Sequence, residues 1–294
     1  PIINGGSVRN SGFEGEVSYK KQFNKLYFNA SINGAYNKNE VLDIQNAEKR
    51  LQGGDGGFGQ SGVLYAAVGT PMGVFYGIKT DGIFQTQDEI NAYVGSTGSK
   101  IQPNAKPGDI KFIDENGDGK ITDADRVTMG SPYPDFTGGL NLNLEYKGFD
   151  LNMFVYAALG QEVYDATRRY DMNGTNYRAD WLNRWTGPGT SNYYPRVTFV
   201  DDNQNMKTVS DFFIHDGSYV RLRNITLGYT LPKTVTEYLK IKNLRFYVTA
   251  ENLLTFTNYK GYDPEIGGGV FSNGIDHGIY PQSRTILGGV NITF

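Results

Sequence analysis

Apolar and polar residues alternate with a period of two along several stretches of the chain. At the C-terminal end, Ile286, Val290 and Ile292 fall on one face of the stretch, and Asn291 and Thr293 fall on the other. Successive side chains of a β-strand point to opposite faces, so this alternation is typical of strands with one apolar face. The pattern predicts seven strands, near residues 13–22, 25–38, 137–146, 149–159, 219–231, 243–254 and 285–294.

One predicted strand breaks the alternation. In residues 219–231, Ile225 and Leu227 lie on the apolar face, yet the upstream residues Arg221 and Arg223 have the same parity. Two interpretations are open. Either the phase of the strand slips near these arginines, or the strand has already left the apolar zone.

The connections between the predicted strands alternate between short turns and three long segments, at residues 39–136, 161–217 and 255–284. Loops in compact domains have a median length of about 4 to 6 residues, whereas transmembrane barrels combine short turns on one side with long loops on the other. We therefore predict an all-β fold, an antiparallel transmembrane β-barrel segment with these three segments as long extracellular loops. A secreted β-sandwich with a solvated polar face is the alternative.

The composition limits the remaining possibilities. The chain has 38 Gly, 21 Tyr and 17 Phe, a mixture that favours strands and loops over helices. The 28 Lys and Arg nearly balance the 31 Asp and Glu, so the charge does not favour nucleic acid as a partner. No apolar run reaches about 18 residues, which argues against a membrane-spanning helix. An odd number of strands leaves the first without a partner, so we expect the segment to belong to a longer barrel.

Several segments, in their order along the chain, resemble one known family. They include "GVFYGIKTDGIFQTQDEINAY", "DFFIHDGSYVRLRNITLGYTLP", "LRFYVTAENLLTFTNYKGYDPE" and the terminal "LGGVNITF". The chain is similar to the C-terminal part of the SusC/RagA family of TonB-dependent (TonB-linked) outer-membrane transporters. The resemblance implies a barrel of about 22 strands, filled by an N-terminal plug and paired with a SusD-like surface lipoprotein. Such a complex imports oligosaccharides or, in some members, peptides.

This resemblance implies a place and partners for the chain. We expect it in the cell outer membrane, in contact with lipid, as part of an importer of glycans or peptides. The expected partners are the SusD-like lipoprotein, the remaining plug and barrel of the parent chain, and the TonB complex, which acts through the missing N-terminal part. The alternative is a calcium-stiffened surface adhesin, or a structural outer-membrane β protein without transport.

The stretch "DENGDGKITDADR" in the first long segment has the spacing of a calcium-binding loop. Calcium takes about 6 to 8 oxygen ligands. We predict a structural calcium site formed by the side chains of Asp114, Asn116, Asp118 and Asp125 and by the backbone carbonyl of Lys120. The flanking residues do not form the helices of a helix–loop–helix site, and Asp125 stands where glutamate is usual. An Asp-, Asn- and Gly-rich turn that binds no metal is the alternative.

Four aromatic residues of the second long segment are candidate substrate contacts, namely Trp181, Trp185, Tyr193 and Tyr194. They could stack on sugar rings, or pack the loop against itself or the lipoprotein, and packing is favoured. The two histidines, His215 and His277, lie far apart in glycine-containing stretches and are predicted to be surface loop residues. The sequence contains no recognisable pair of nucleophile and base, so we predict no enzymatic activity.

Overall fold

The largest element of the protein is an antiparallel sheet of seven strands. The computed structural model describes residues 5–57, 59–168 and 177–294. In chain order, the strands are β1 (Gly6–Phe23), β2 (Leu26–Ile44), β3 (Arg50–Gly57), β4 (Gln60–Ala67), β5 (Val74–Ile78), β6 (Thr80–Ile83), β7 (Ile110–Phe112), β8 (Arg126–Gly130), β9 (Phe136–Tyr146), β10 (Phe149–Leu159), β11 (Glu162–Asp165), β12 (Ile214–Asp216), β13 (Tyr219–Thr230), β14 (Asn243–Thr257), β15 (Ile275–Asp276) and β16 (Thr285–Thr293). The chain also forms two short helices, α1 (Gln87–Ala92) and α2 (Lys233–Tyr238).

The large sheet has the strand order β1-β2-β9-β10-β13-β14-β16, with every neighbouring pair antiparallel. Its strands lie where the period-two pattern predicts them, and the all-β class is confirmed. Three strands are longer than predicted: β1 starts at Gly6 rather than near residue 13, β2 continues to Ile44, and β14 continues to Thr257. Within the described residues, β1 and β16 each pair with a single neighbour and form the two edges of the sheet.

The apolar face of this sheet is not covered by the rest of the described chain. Val17 of β1, Leu227 of β13, Val248 of β14 and Ile286 of β16 are all exposed. In a water-soluble sheet this face would pack against a second layer, because an uncovered apolar face of this size is unfavourable in water. The sheet therefore lacks a core of its own in the part of the chain that the structure describes.

A β-bulge explains the two arginines that break the alternation in β13. The pairing of β13 with β14 shifts register between Leu222 and Asn224, and the pairing with β10 shifts at the same place. The phase therefore slips at Arg223, the first of the two interpretations. Beyond the bulge, Arg221 is buried, and its guanidinium donates to Asp263 at 2.6 Å and to Glu265 at 2.9 Å.

The three long segments carry regular structure of their own. The first contains a four-stranded sheet, β3-β4-β5-β8, and the antiparallel pair β6-β7. The second and third join in the sheet β12-β11-β15, in which β11 and β15 run parallel. Residues 169–176 of the second predicted loop lie outside the described residues.

The largest hydrophobic cluster of the described residues connects all three segments. Its fifteen buried members are Val63, Leu64, Phe75, Ile78, Ile83, Ile110, Phe112, Tyr164, Ala166, Trp181, Met206, Val209, Phe212, Phe213 and Ile275. The first segment provides residues up to Phe112, the second those from Tyr164 to Phe213, and the third provides Ile275. Burial of apolar side chains stabilises a fold by about 1.5 to 3 kcal/mol for each large residue, so the segments hold one another in place.

The helices of the described residues are minor elements. Helix α1 begins after Thr86, whose hydroxyl caps it by accepting from the backbone N–H of Glu89, and helix α2 begins after Pro232. Neither of them, nor any other helix among residues 5–57, 59–168 and 177–294, has the length and apolar composition that a membrane crossing requires.

Candidate ligand pocket and acidic loop

A cavity of about 760 Å³ opens between the second and third long segments. Charged and aromatic side chains line it, and they come from stretches that are far apart in sequence. Asp165 ends β11 and Arg168 follows it, His215 belongs to β12, and Tyr259 follows β14. The shared core and the β11–β15 pairing bring these stretches together, so the pocket exists only in the folded assembly of the segments.

Arg168 is the most buried cation of the pocket. Its guanidinium donates to the Tyr193 hydroxyl at 2.9 Å, to the Phe212 carbonyl at 2.6 Å and to the Tyr194 hydroxyl at 3.3 Å. The guanidinium carbon also lies 4.5 Å from the centre of the Phe212 ring. Such cation–π contacts and charge-assisted hydrogen bonds stabilise a buried cation. Arg168 therefore fixes the two tyrosines that border the pocket.

Two carboxylates balance the charge of the arginines. Asp165 is buried, and its carboxylate lies 3.4 Å from Arg168 Nε and accepts from Arg178 Nη1 at 2.8 Å. Asp180 lies 3.4 Å from Arg178 Nη2 and accepts from the Tyr194 hydroxyl at 3.1 Å. A buried charge is tolerated when it is paired and hydrogen-bonded. The two arginines and the two aspartates therefore balance, and the exposed Lys260 leaves the lining with one net positive charge.

Some polar atoms in the pocket wall lack a hydrogen bond. Asp180 Oδ1 and His215 Nε2 are buried atoms with no hydrogen-bond partner among the described residues. His215 Nε2 lies 3.8 Å from Asp165 Oδ2, beyond hydrogen-bonding distance. Burial and the positive charge of Arg168 lower the pKa of His215 from 6.5 to about 4, so its imidazole is neutral at neutral pH. An unpaired buried polar atom is unfavourable by about 1 to 3 kcal/mol, and a ligand that pairs with it removes that cost.

The four aromatic candidates occupy different environments. Trp181 is only 6% exposed and packs in the core against Phe212 and Tyr194. Trp185 packs against the same core, and its indole N–H donates to Gln85 at 3.1 Å. Only Tyr193 and Tyr194 line the pocket, and Tyr193 is 44% exposed. A ligand that enters the pocket can therefore touch the tyrosines, whereas the tryptophans pack inside the loop.

The predicted calcium loop lies between β7 and β8. Residues Gly117 and Gly119 have positive φ values of 74° and 84°, a conformation that glycine adopts without strain. A 3-10 turn at Asp123–Asp125 follows, capped by Thr122, and no long helix flanks the loop. Ile121 is partly buried and packs against the common core. The loop is thus anchored at Ile121 and at the buried Asp125, while Asp118 and Asp123 are exposed.

Hydrogen bonds within the loop occupy its side-chain oxygens to different degrees. Asp125 is buried, and its carboxylate accepts from the N–H groups of Glu115, Asn116 and Thr122 and from the Thr122 hydroxyl. These four bonds fill the roughly four lone-pair positions of a carboxylate. Asp114 accepts three backbone N–H groups.

Asp118 and Asn116 are less occupied. Asp118 accepts one backbone N–H, from Lys120, and a weak contact from the Asn116 amide at 3.5 Å, and Asn116 Oδ1 accepts one, from Asp118. Open lone pairs therefore remain on Asp114, Asn116 and Asp118. In the part of the chain that the structure describes, no group of three or more His, Asp or Glu side chains converges as a metal site would. The ligand set, and Asp125 in particular, stays a prediction.

Sequence reasoning missed most of the pocket. Residues Asp165, Arg168 and Arg178 stand in a charged stretch that carried no recognisable spacing, and Tyr259 lies in another segment. His215 was predicted to be a surface loop residue, but it lies in β12 and lines the pocket, while His277 is exposed as predicted. The feature of the sequence that could have indicated the pocket is the high frequency of Arg, Asp and Tyr between residues 164 and 194.

Comparison with known proteins identifies relatives of the chain. No family profile matches it. It is 32% identical over 303 residues to TonB-dependent receptor P3 of Formosa agariphila and 30% identical over 303 residues to receptor P26 of the same organism. It is 28% identical over 296 residues to TonB-dependent receptor SusC of Bacteroides thetaiotaomicron. These alignments cover 98 to 100% of the chain, which spans 27 to 30% of the length of the relatives.

Solved structures show the same fold. The RagAB peptide importer matches in its open-open and closed-closed states, each with a TM-score of 0.73 at 22% identity, over 98 and 99% of this chain and 29 and 30% of that one. At this identity the likeness describes the fold alone, and it agrees with the all-β prediction. Together with the receptor sequences, it confirms the resemblance found in the sequence. The chain belongs to the SusC/RagA family of TonB-dependent receptors and corresponds to the C-terminal part of these outer-membrane proteins.

Proposed function

We propose that the protein works as part of an outer-membrane, TonB-dependent importer of oligosaccharides. The observation that carries this proposal is the similarity of nearly the whole chain to TonB-dependent receptors, SusC among them. Because the chain spans about 30% of their length, import is a property of the parent protein, to which this part contributes strands and outer loops. The sequence contains no recognisable pair of nucleophile and base that would favour an enzyme instead.

The pocket is the place where this part of the protein would contact the cargo. Asp165 and Asp180 neutralise its two arginines, and the exposed Lys260 leaves only one net positive charge in the lining, which disfavours a strongly charged ligand. Tyr193 offers an exposed ring, and Asp180 Oδ1 and His215 Nε2 offer unpaired hydrogen-bonding atoms. A sugar combines a flat apolar face with hydroxyl groups that both donate and accept, so it satisfies both features. Because RagAB is a peptide importer, a peptide is the competing cargo.

The cargo proposal can be tested with Tyr193→Ala in the parent protein. Loss of an aromatic contact costs about 0.5 to 1.5 kcal/mol, so we expect oligosaccharide binding and uptake to weaken by about 3- to 10-fold. Tyr193→Phe keeps the ring and should retain most of the activity. The matched control is Tyr280→Ala, a substitution of a fully exposed loop tyrosine outside the pocket. Equal uptake by all four proteins would reject the pocket as a cargo site.

A SusD-like lipoprotein and the TonB complex are the proposed partners. Their support is the relationship to SusC and to the RagAB complex. Deleting the lipoprotein, or the TonB protein, is expected to lower uptake of the cognate oligosaccharide in cells. Uptake at the wild-type rate in both deletions would contradict an energised import complex and would favour a surface adhesin.

We further propose that the acidic loop binds a structural calcium ion. The spacing of its residues and the open lone pairs on Asp114, Asn116 and Asp118 support this assignment. The predicted ligands also include the Lys120 carbonyl and Asp125, whose carboxylate would have to share its lone pairs between the ion and the backbone. When bound, calcium would stiffen a loop whose apolar contact with the core is Ile121.

Calorimetric titration of the purified parent complex tests the calcium proposal. We expect uptake of one calcium ion per loop, lost in Asp118→Ala, because that change removes the least occupied carboxylate. Glu115→Ala is the matched control, since Glu115 is an exposed carboxylate of the same loop and belongs to no predicted ligand position. Binding that is the same in wild type and Asp118→Ala would refute the site.

A further inference from the structure

The end of the large sheet that carries the short turns is basic. The turns β1–β2, β9–β10 and β13–β14 meet there, because Leu26 pairs with Tyr146 and Phe149 pairs with Tyr229. Residues 20–27, 145–150 and 230–245 contain eight Lys and Arg but three Asp and Glu, in a chain whose net charge is −3. This end of the sheet therefore carries a net positive charge, whereas the net charge of the whole chain is negative.

Lysines at this end have no acidic partner. All seven are exposed, and none forms an ion pair within residues 5–57, 59–168 and 177–294; they are Lys20, Lys21, Lys25, Lys147, Lys233, Lys240 and Lys242. Of the nearby acids, Asp150 is already paired with Arg245 at 2.6 Å. Three of the lysine amines instead lie 5.0 to 5.5 Å from aromatic rings, those of Phe23, Tyr27 and Tyr146. A rim of uncompensated ammonium groups and aromatic rings results.

Helix α2 stands on this rim with an apolar face uncovered. Val235, Tyr238 and Leu239 are 41%, 87% and 48% exposed, while Thr236 is buried against the protein. At 3.6 residues per turn the three exposed apolar side chains share one face, and Glu237 lies on the opposite side. A short helix with an exposed apolar face and flanking lysines is typical of a segment that lies in a membrane interface.

Backbone hydrogen bonds tie the residues on either side of the helix to the end of the sheet. The N–H of Thr230 donates to Gly148 at 2.8 Å, and the N–H of Lys242 donates to Thr293 at 2.7 Å. The helix is therefore continuous with strands whose apolar face is uncovered, and whose ends carry Phe149, Tyr229 and Phe246. In an outer-membrane protein, this face is the one in contact with lipid.

We propose that α2 and the surrounding lysines form a phospholipid-binding rim. The apolar face of α2 inserts among the acyl chains next to the head groups, and Lys233, Lys240 and Lys242 bind the phosphate groups of lipids in the leaflet at the short-turn end. Charge complementarity and continuity with the lipid-facing sheet select this occupant. The inference rests on the outer-membrane position of the chain and does not depend on the identity of the cargo.

Fluorescence quenching in the parent protein tests the insertion. The chain has no cysteine, so a Tyr238→Cys variant of a parent otherwise free of cysteine can be labelled with a single fluorophore. The labelled protein is placed in nanodiscs of phosphatidylethanolamine and phosphatidylglycerol. Spin-labelled lipid is expected to quench this label several-fold more than iodide does. Glu237→Cys, on the opposite side of the helix, is the matched control and should show the reverse preference.

Two outcomes would overturn the insertion. In the first, iodide quenches the label at residue 238 at least as strongly as the label at residue 237. This result would show that the apolar face of α2 lies in water. Protection from both quenchers would show that protein, either the parent chain or a partner, covers this face instead of lipid. Neither result depends on transport, so an inactive importer and a misplaced helix are distinguishable.

Lipid retention tests the lysines separately. A triple variant, Lys233→Gln, Lys240→Gln and Lys242→Gln, is compared with wild type by native mass spectrometry after exchange into phosphatidylglycerol or phosphatidylcholine. We expect preference for phosphatidylglycerol to fall by up to about 5-fold for each lysine removed. The control triple, Lys38→Gln, Lys79→Gln and Lys207→Gln, removes the same charge away from this rim. An unchanged preference, or an equal loss in the control, would refute phosphate binding by the rim.

Discussion

The large sheet and the three long segments place their apolar residues in opposite ways. In the sheet, Leu227, Val248 and Ile286 point outward and remain uncovered, while in the segments Phe75, Leu64 and Phe213 are wholly buried. The two regions of the chain are therefore suited to different surroundings. Lipid supplies the apolar surroundings of the strands, whereas the segments must exclude water by packing against each other.

This difference shows what keeps the pocket in shape. The sheet contributes its strand ends, but the side chains that form the pocket are positioned by the common core of the segments, through Tyr164, Trp181 and Phe212. Arg221 connects the two regions, because it lies in β13 of the sheet and binds Asp263 of the third segment. The segments thus form a packed unit with its own core, joined to the sheet through the Arg221–Asp263 pair.

The largest expected effect comes from a cavity in the segment core. Phe213→Ala removes a fully buried ring, and such a change costs about 3 to 5 kcal/mol. We expect hydrogen exchange of β4, β5 and β12 in the parent protein to speed up accordingly, with little change in β9 and β10. Phe149→Ala, on the exposed aromatic end of the sheet, is the matched control. Equal acceleration in all strands would contradict two separately stabilised regions.

An arginine introduced in each region tests whether the sheet faces lipid and the segments face water. Val248 and Val270 are similarly exposed, at 55% and 42%, but one lies on the sheet and the other in the third segment. Arginine on the lipid face of a barrel costs about 2 to 4 kcal/mol near the bilayer centre, whereas surface changes in water are usually within about 0.5 kcal/mol. We therefore expect Val248→Arg, and not Val270→Arg, to lower folding yield and stability in lipid. Similar tolerance of both would mean that the apolar sheet face does not contact lipid.

The sequence allowed the strands of the large sheet to be predicted, but not the strands within the three long segments. A strand with one lipid-facing side imposes a strict period of two, and stretches such as residues 140–146 display it without interruption. The strands of the segments are short, and β3 itself contains Gly54 and Gly57, which have positive φ values and leave the strand without an alternating hydrophobic pattern. Their pairing depends on a core gathered from three distant stretches, which no local pattern encodes.

The candidate sites show the same division. The acidic loop is a local motif, so its residues were identified from spacing alone, although their oxygens turn out to be partly occupied by backbone N–H groups. The pocket is not local, since Arg168, His215 and Tyr259 meet only after the segments have folded. Burial within that assembly also reverses the expectation for His215, which the sequence alone presented as a surface residue.

The smallest predicted effect is a pH dependence of the segments. Burial and the charge of Arg168 lower the pKa of His215 to about 4, below the value of 6.5 of the unfolded chain. Between these values the unfolded state binds a proton that the folded state does not, so stability is complete above about pH 6.5 and falls as the pH decreases toward 4. From pH 6.5 to 5.5, the free energy of opening should decrease by about 1 kcal/mol.

Hydrogen exchange of β11 and β12 at these two pH values, after correction for the intrinsic exchange rate, measures this change. In His215→Gln the change should disappear, whereas His277→Gln, a substitution of an exposed histidine, should retain it. The exchange of β9 and β10 should not respond, because no histidine lies in the sheet. A response of the sheet equal to that of β11 and β12 would show that the two regions open together, and that the core of the segments does not stabilise the pocket independently of the membrane strands.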